Sequence, residues 1–354
     1  METILTKFDT VLQALIDHNG ADLHIREARL PMLRVKRQAI PYQDVGVFSR
    51  AECLELLRNF LTDDKVETFS KEKAIDFSIV ALGRRLRGNA FVERGRIAMT
   101  CRLVPQIQTL TELNLPPALR EMSLREQGFF LVTGSVGNGK STTMASMVSI
   151  VNAEKQKHII TIEDPVEFFY DDGLSFIDQR EVGIDVPNFE TALKNALRQD
   201  ADMLVVGEMR NRETIGMAIT AAQTGHFVLS TLHTNSAAQS IERIIDVFPA
   251  EAQREIRIEL SISLIGIFCQ KLIPGVSGKL VPAYELMLNT PAISHLIREG
   301  RIKDIEMTIE NSSKDGHVSY NRSLAQLYFA GTISKDVALK YSPDAEALGH
   351  LIGV

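Results

Sequence analysis

The run Gly134-Ser-Val-Gly-Asn-Gly139-Lys140-Ser141 has the spacing G-x-x-x-x-G-K-[ST], and the residues on either side of it leave few folds open. An apolar, β-rich run from Phe129 to Val132 precedes it, and Met144, Met147, Val148 and Val151 recur at helical spacing behind it. That is the strand–loop–helix setting of a phosphate-binding loop. Glycines let the backbone curl until its N–H groups face an anion at the start of a helix, a lysine at position 140 reaches β- and γ-phosphates, and the Ser141 hydroxyl ligates Mg²⁺. A glycine-rich turn carrying a solvated lysine explains neither the strand nor the helix. The expected nucleotide-binding set is Gly134, Ser135, Val136, Gly137, Asn138, Gly139, Lys140, Ser141 and Thr142, with ATP and Mg²⁺ as the cofactors.

Downstream, β-rich runs at His158 to Ile162, Met203 to Val206 and Phe227 to Thr231 alternate with helical segments, which predicts a parallel sheet flanked by helices. After Pro249 the chain reads as mostly helical, with segments near Glu251 to Lys271, Pro291 to Glu299 and Tyr320 to Phe329. Upstream, Phe8, Val11, Leu12, Leu15 and Ile16 mark a helix that stops at Gly20, and Ser49 with Glu52 forms a capping box for a second. Strand-like runs lie at Asp22 to Arg26, Pro31 to Val35, Ala74 to Val80, Leu86 to Val92 and Ile97 to Val104. Pro105, Pro116 and Pro117 then interrupt the pattern. The chain is thus expected to be α/β throughout: a small domain over residues 1–105, a linker over 106–120, a P-loop core over 121–285 and a helical subdomain over 286–354.

At 354 residues the chain is too long for one ordinary core, and its 45% hydrophobic and 24% charged content is that of a globular protein. A net charge of -6 argues against a polyanion as main ligand, so no nucleic-acid partner is expected. Cys53, Cys101 and Cys269 are scattered, without disulfide or zinc spacing. The pattern from Met1 onward is amphipathic and lacks a secretory h-region, and the apolar run Leu260 to Phe268 falls short of the roughly 20 residues that span a bilayer. A cytoplasmic location is expected.

Two acids fall where open α/β sheets bind ligands, beyond the carboxyl ends of strands. Glu163 begins Glu163-Asp-Pro-Val-Glu167 after His158-Ile-Ile-Thr-Ile162, and Glu208 follows Asp202-Met-Leu-Val-Val-Gly207 as the acid of a Walker B strand. A carboxylate there can hold the hydration shell of Mg²⁺, alongside Ser141. His226 and His233 bracket the fourth strand. Each reads equally as a structural donor or as a sensor of the γ-phosphate.

Several stretches together resemble the PilT/PilU branch of the secretion ATPase superfamily: Ala21-Asp-Leu-His24, Arg85-Leu-Arg-Gly-Asn89, Leu113-Asn-Leu-Pro116, Ile162-Glu-Asp-Pro-Val-Glu167, Gln179-Arg-Glu-Val-Gly183, Val206-Gly-Glu-Met-Arg210, Thr224 to Asn235, and Thr290 to Gly300. The resemblance spans nearly the whole chain. It implies a PAS-like N-terminal domain and a RecA-like motor domain in a homo-hexameric ring that powers type IV pilus retraction and twitching motility. It also implies a PilC-like platform protein of the inner membrane as partner, with a paralogous retraction ATPase as a possible second, and peripheral association with that membrane. The glutamates matching Glu163 and Glu208 are the family's general base and Mg²⁺-supporting acid. Ser294 stands where these motors typically carry arginine, which leaves principal and accessory retraction motor both open. Assembly ATPases of the superfamily usually carry a longer N-terminal region and a four-cysteine zinc site, and this chain has neither, which tilts the reading to retraction.

A RecA-like ring motor acting on nucleic acid would share the loop and sheet, and a largely structural ring subunit partnering an active paralogue would share the family. No cis arginine finger is evident in the motor segment, while Arg84, Arg85, Arg87, Arg94, Arg96 and Arg102 crowd the N-terminal domain. In the related family such arginines reach the neighbouring subunit's nucleotide. Arg87 and Arg102 are the first candidates, against the alternative of a solvated sheet face.

Overall fold

Thr3 opens the first helix by accepting a hydrogen bond from the Thr6 N–H, in a computed structural model that describes residues 3–36 and 38–353. The start of the amphipathic pattern at Met1 lies outside the described residues. Helix α1 (Ile4–Asp17) buries Phe8, Val11, Leu12 and Leu15. Strands β1 (Asp22–Arg26), β2 (Met32–Val35) and β3 (Gln38–Pro41) follow, then α2 (Arg50–Phe60), α3 (Asp63–Glu72), β4 (Ala74–Ala81), β5 (Arg84–Glu93) and β6 (Arg96–Leu103). The capping box forms: Ser49 accepts from the Glu52 N–H while the Glu52 carboxylate accepts from the Ser49 N–H. The six strands make one antiparallel sheet in the order β3-β2-β1-β6-β5-β4, and Leu23, Leu86 and Met99 bury against Phe8, Leu12 and Leu56. Residues 1–106 form one compact unit and residues 107–354 a second.

The second unit begins with α4 (Ala118–Ser123) and β7 (Gly128–Thr133), followed by α5 (Lys140–Glu154), β8 (His158–Glu163), β9 (Phe176–Glu181), α6 (Phe189–Ala196), β10 (Met203–Val206), α7 (Arg212–Gln223), β11 (Phe227–Leu232), α8 (Ala237–Asp246) and α9 (Gln253–Ser263). After β12 (Leu264–Pro274) and β13 (Leu280–Leu288) come α10 (Pro291–Glu299), α11 (Ile302–Asn311), α12 (Tyr320–Phe329), α13 (Lys335–Tyr341) and α14 (Ala345–Ile352). The sheet order is β13-β12-β7-β11-β10-β8-β9, parallel throughout except for β13.

Alternate residues on each strand point to opposite faces. Phe129, Leu131, Ile160, Ile162, Leu204 and Val206 enter one apolar cluster, while Phe130, Val132, Ile159, Met203 and Val205 enter the other. Burial on both faces is why these strands read as unbroken apolar runs rather than as alternation. Among the described residues no helix is long and apolar enough to cross a membrane, and the three cysteines are free and buried.

Three expectations need correction. The helix expected near Glu251 to Lys271 ends at Ser263, and β12 takes over: Leu264 is extended, and a Cβ on Gly266 would stand 2.8 Å from the Met287 carbonyl oxygen of β13. A fully buried strand and a buried helix give the same apolar run, so periodicity alone does not separate them. β13 then carries the sheet to Leu288, past the expected core boundary at 285. The stretch read as a linker is also more than a tether, since Leu110, Leu115 and Leu119 are buried in one cluster with Phe130, Val132 and Met147.

Leu119→Ala therefore tests the packed strap. Leu119 is fully buried, so truncation should destabilise the chain by about 2–5 kcal/mol, the range for a buried leucine, read from the midpoint of chemical unfolding. A change within about 0.5 kcal/mol, as for surface positions, would mean that the segment is a solvated linker after all.

Candidate active site

The loop between β7 and α5 folds as its glycines require. Gly134, Gly137 and Gly139 have φ of 144°, 81° and 78°, a region that side-chain-bearing residues rarely adopt. A Cβ on Gly134 would also lie 2.3 Å from the Gln270 carbonyl oxygen of β12. The Gln270 side chain braces the same loop: its amide donates to the Asn138 carbonyl and accepts from Thr143 Oγ1 at 2.6 Å. The Leu272 N–H completes the brace by donating to Asn138 Oδ1 at 3.0 Å.

Lys140 opens α5 and is buried. Its Nζ donates to the carbonyls of Gly134 at 2.8 Å and Ser135 at 3.3 Å, and lies 3.2 Å from His233 Nδ1. Burial lowers its pKa, against the pull of Glu208 and Glu167, which raise it. His233 Nε2 in turn lies 3.2 Å from Glu208 Oε1, so ammonium, imidazole and carboxylate form a chain across the ends of β7, β11 and β10. Arg210 donates to Glu208 Oε2 at 2.8 Å and is the main reason that the carboxylate's pKa is lowered.

Glu163 ends β8 in a different environment. Burial raises its pKa, opposed by hydrogen bonds from Thr161 Oγ1 at 2.6 Å and Gln179 Nε2 at 3.3 Å. Two carboxylates of one cleft are thus pushed apart in proton affinity, the pattern of an acid–base group set beside a permanently ionised one. The peptide bond from Asp164 to Pro165 is cis.

Lys140, Ser141, Thr142, Glu163, Glu208 and His233 line a single cleft of about 520 Å³, within the ordinary size of a small-molecule site. His226 is not among them. It precedes β11 and His233 follows it, so a strand of six residues separates them by about 20 Å. His226 Nδ1 is 3.0 Å from the Ala221 carbonyl oxygen, and its role is to finish the turn after α7. Arg87 and Arg102 lie in the N-terminal unit as cross-strand partners on β5 and β6. Arg102 is held by Asp22, with Nε to Oδ1 at 2.6 Å, which raises its pKa.

The sequence reading missed Gln270, hidden in a segment expected to be helix, and Arg210, a cis arginine lining the cleft. Arg210 stood in the quoted run Val206-Gly-Glu-Met-Arg210, two residues beyond the metal acid, and that spacing was the available signal. The residues fit a Mg²⁺–nucleotide. The glycine cradle admits no Cβ at Gly134, and Lys140, Ser141 and Glu208 face the same cleft.

Fold and site together define a P-loop ATPase. The chain belongs to the Type II/IV secretion system protein family, whose model matches residues 62–328. It is 38% identical over 332 residues to the type IV pilus retraction ATPase PilT of Pseudomonas aeruginosa, covering 93% of this chain and 96% of the relative. It is 35% identical over 349 residues to the type IV pilus ATPase PilU of the same organism, covering 98% and 91%. A crystal structure of the pilus retraction motor PilT with bound ADP matches with a TM-score of 0.80 at 37% identity, over 97% of this chain and 98% of that one. The mixed α/β architecture and the resemblance read from the sequence are thus both upheld.

The two glutamates should separate by phenotype. Glu163→Gln is expected to bind ATP with near-normal affinity and to lose about 10²–10⁴-fold in turnover, the range for general-base catalysis. A base works ionised, and burial raises the Glu163 pKa, so wild-type turnover should fall on acidification at a pH above that of an ordinary carboxylate. Glu208→Gln should shift the Mg²⁺ concentration dependence as well. Indistinguishable binding, turnover and Mg²⁺ profiles would end this division of roles.

Proposed function

We propose that the chain is the subunit of a homo-hexameric, ATP-hydrolysing ring that powers type IV pilus retraction from the cytoplasmic side of an inner-membrane platform protein. The observation that carries the chemistry is the convergence of Lys140, Glu163, Glu208 and His233 on one cleft beyond the carboxyl ends of the strands. When bound, Mg²⁺–ATP supplies the reactive phosphoanhydride and a charge-neutralising ion. Lys140 exchanges the neutral carbonyls of Gly134 and Ser135 for phosphate oxygens, and the loop N–H groups do the same from the helix end. Glu163, oriented by Thr161 and Gln179, takes the proton of the attacking water at its carboxylate. Glu208, whose pKa Arg210 lowers, would hold the water shell of Mg²⁺ together with the Ser141 hydroxyl. His233 bridges Lys140 and Glu208, so it would couple the phosphate-binding lysine to the metal-supporting acid.

The coverage of PilT and PilU by nearly the whole chain supports a retraction motor over a nucleic-acid motor, as does the acidic balance of the sequence. Ser294 donates to the Ser261 carbonyl at 2.8 Å and ties α10 to α9, a short-range bond that an arginine there would not reproduce. Deleting the gene should leave cells with extended, unretracted pili and no twitching zone, and a Lys140→Ala copy should not restore them. Normal retraction in the deletion strain would remove pilus retraction from the reading.

An arginine from a neighbouring subunit completes each site in this proposal, and it is worth about 10³–10⁵ in rate where such fingers act. Arg87 and Arg102 are the candidates. Directly opposite residues share a face, so Asp22, Arg102 and Arg87 form a row across β1, β6 and β5, in which Asp22 engages Arg102. Subunits carrying Lys140→Ala, mixed with subunits carrying Arg87→Ala, should regain ATP hydrolysis that neither variant shows alone. Absence of recovery in rings shown to be mixed would exclude Arg87 acting in trans.

A further inference from the structure

The N-terminal unit gathers arginines at one end of its sheet. β1 and β6 are antiparallel, with Arg26 opposite Ala98, so the end of β1 lies beside the hairpin that starts β6. Two turns project from that edge. Ala28 turns the chain at φ 61° just before Arg29, and the β5–β6 hairpin turns through Arg94 at φ 51° and Gly95 at φ 75°. Two consecutive positive φ values make the tight hairpin turn that usually takes Asn-Gly, and an arginine in its first position costs about 1–2 kcal/mol of backbone strain. Arg26, Arg29, Arg94 and Arg96 line a cleft of about 200 Å³ with Glu27 and Glu93.

Both carboxylates are already engaged. Glu93 pairs with Arg26 at 3.0 Å. Glu27 accepts from the Ile97 N–H at 3.0 Å and from Arg50 at 3.3 Å, and Arg50 also donates to the Gly95 carbonyl at 2.9 Å, which fixes the hairpin. Among the described residues, Arg29, Arg94 and Arg96 then carry no carboxylate partner, although the chain as a whole is at -6. Three guanidinium groups without a carboxylate partner on one small cleft make its potential positive, and an anion of two or more charges among them would be favoured. Their planar forks match phosphate oxygens in pairs. The cleft is smaller than the roughly 300–1,000 Å³ of sites that enclose a whole organic ligand, so it suits a phosphate-bearing head and leaves the rest of the ligand outside.

We infer that this cleft is a second anion site, separate from the P-loop, which binds a phosphate or polyphosphate group presented by a soluble polyphosphate or by an anionic phospholipid headgroup. The site is built by the two turns, and Arg29, Arg94 and Arg96 supply the charge.

The test uses the full chain with saturating Mg²⁺–ADP, so that the P-loop is filled. One arm titrates inorganic tripolyphosphate by calorimetry, and the other measures co-sedimentation with phosphatidylcholine vesicles with and without phosphatidylglycerol. Wild type should bind in at least one arm, and the arm that responds identifies the source of the phosphate. Arg94→Glu with Arg96→Glu should weaken that binding by 100-fold or more, about tenfold for each charge-assisted contact of about 1.4 kcal/mol. Arg94→Lys with Arg96→Lys keeps the charge but loses the fork, and should weaken it by about tenfold. Thermal melting of each variant controls for folding, since both side chains are exposed. No binding in either arm, or equal binding by wild type and the glutamate variant, overturns the inference. Full retention by the lysine variant does so too, because it reduces the cleft to diffuse charge.

Discussion

Parallel pairing of β8, β10, β11 and β7 is the constraint on which the rest of the second unit depends. Each crossover returns the chain so that every one of these strands ends at the same edge. Each strand end delivers one functional group: Glu163 as the last residue of β8, Glu208 after β10, His233 after β11 and the phosphate loop after β7. None of these groups is near another in sequence. The backbone ladder makes them neighbours, and the two apolar clusters bury its two faces. Each fully buried aliphatic side chain in those clusters contributes about 1.5–3 kcal/mol to holding the strands that carry the site.

Within that frame the electrostatics divide the labour. Glu208 is surrounded by Arg210, His233 and Lys140, and it stays charged. Glu163 is half-buried, and desolvation raises its proton affinity against two neutral donors that lower it. The difference follows from the strands: the Glu163 side chain meets Thr161 of its own strand and Gln179 of the edge strand β9, whereas Glu208 lies between arginine and histidine.

Much of this was legible in the sequence, because doubly buried parallel strands announce themselves as apolar runs and the phosphate loop announces its own neighbours. Glu163, Glu208, Lys140 and His233 could be named because strand direction puts carboxyl-terminal residues together. The same rule, applied to the whole strand, would have excluded His226, which sits at the other end. The boundary at Ser263 was illegible for a different reason. Its continuation, Leu264 to Cys269, is buried on both faces, and an unbroken apolar stretch carries no period to read. Gln270 was lost with it, since a lone polar residue in a presumed helix offers no sign that its carbonyl lies against Gly134. The strap from Leu110 to Leu119 was masked by prolines, which mark irregular backbone and say nothing about whether its leucines are buried.

That contact between Gly134 and Gln270 has a bearing on how such a loop can be inherited. The motif occupies eight consecutive residues, yet its shape is completed by a strand whose bracing glutamine lies 132 residues beyond Asn138. A transplant carrying the eight residues and their flanking strand and helix into another sheet would bring the glycines without the surface they were shaped to meet. Recombination is therefore expected to preserve this cradle only when it moves β7 and β12 together.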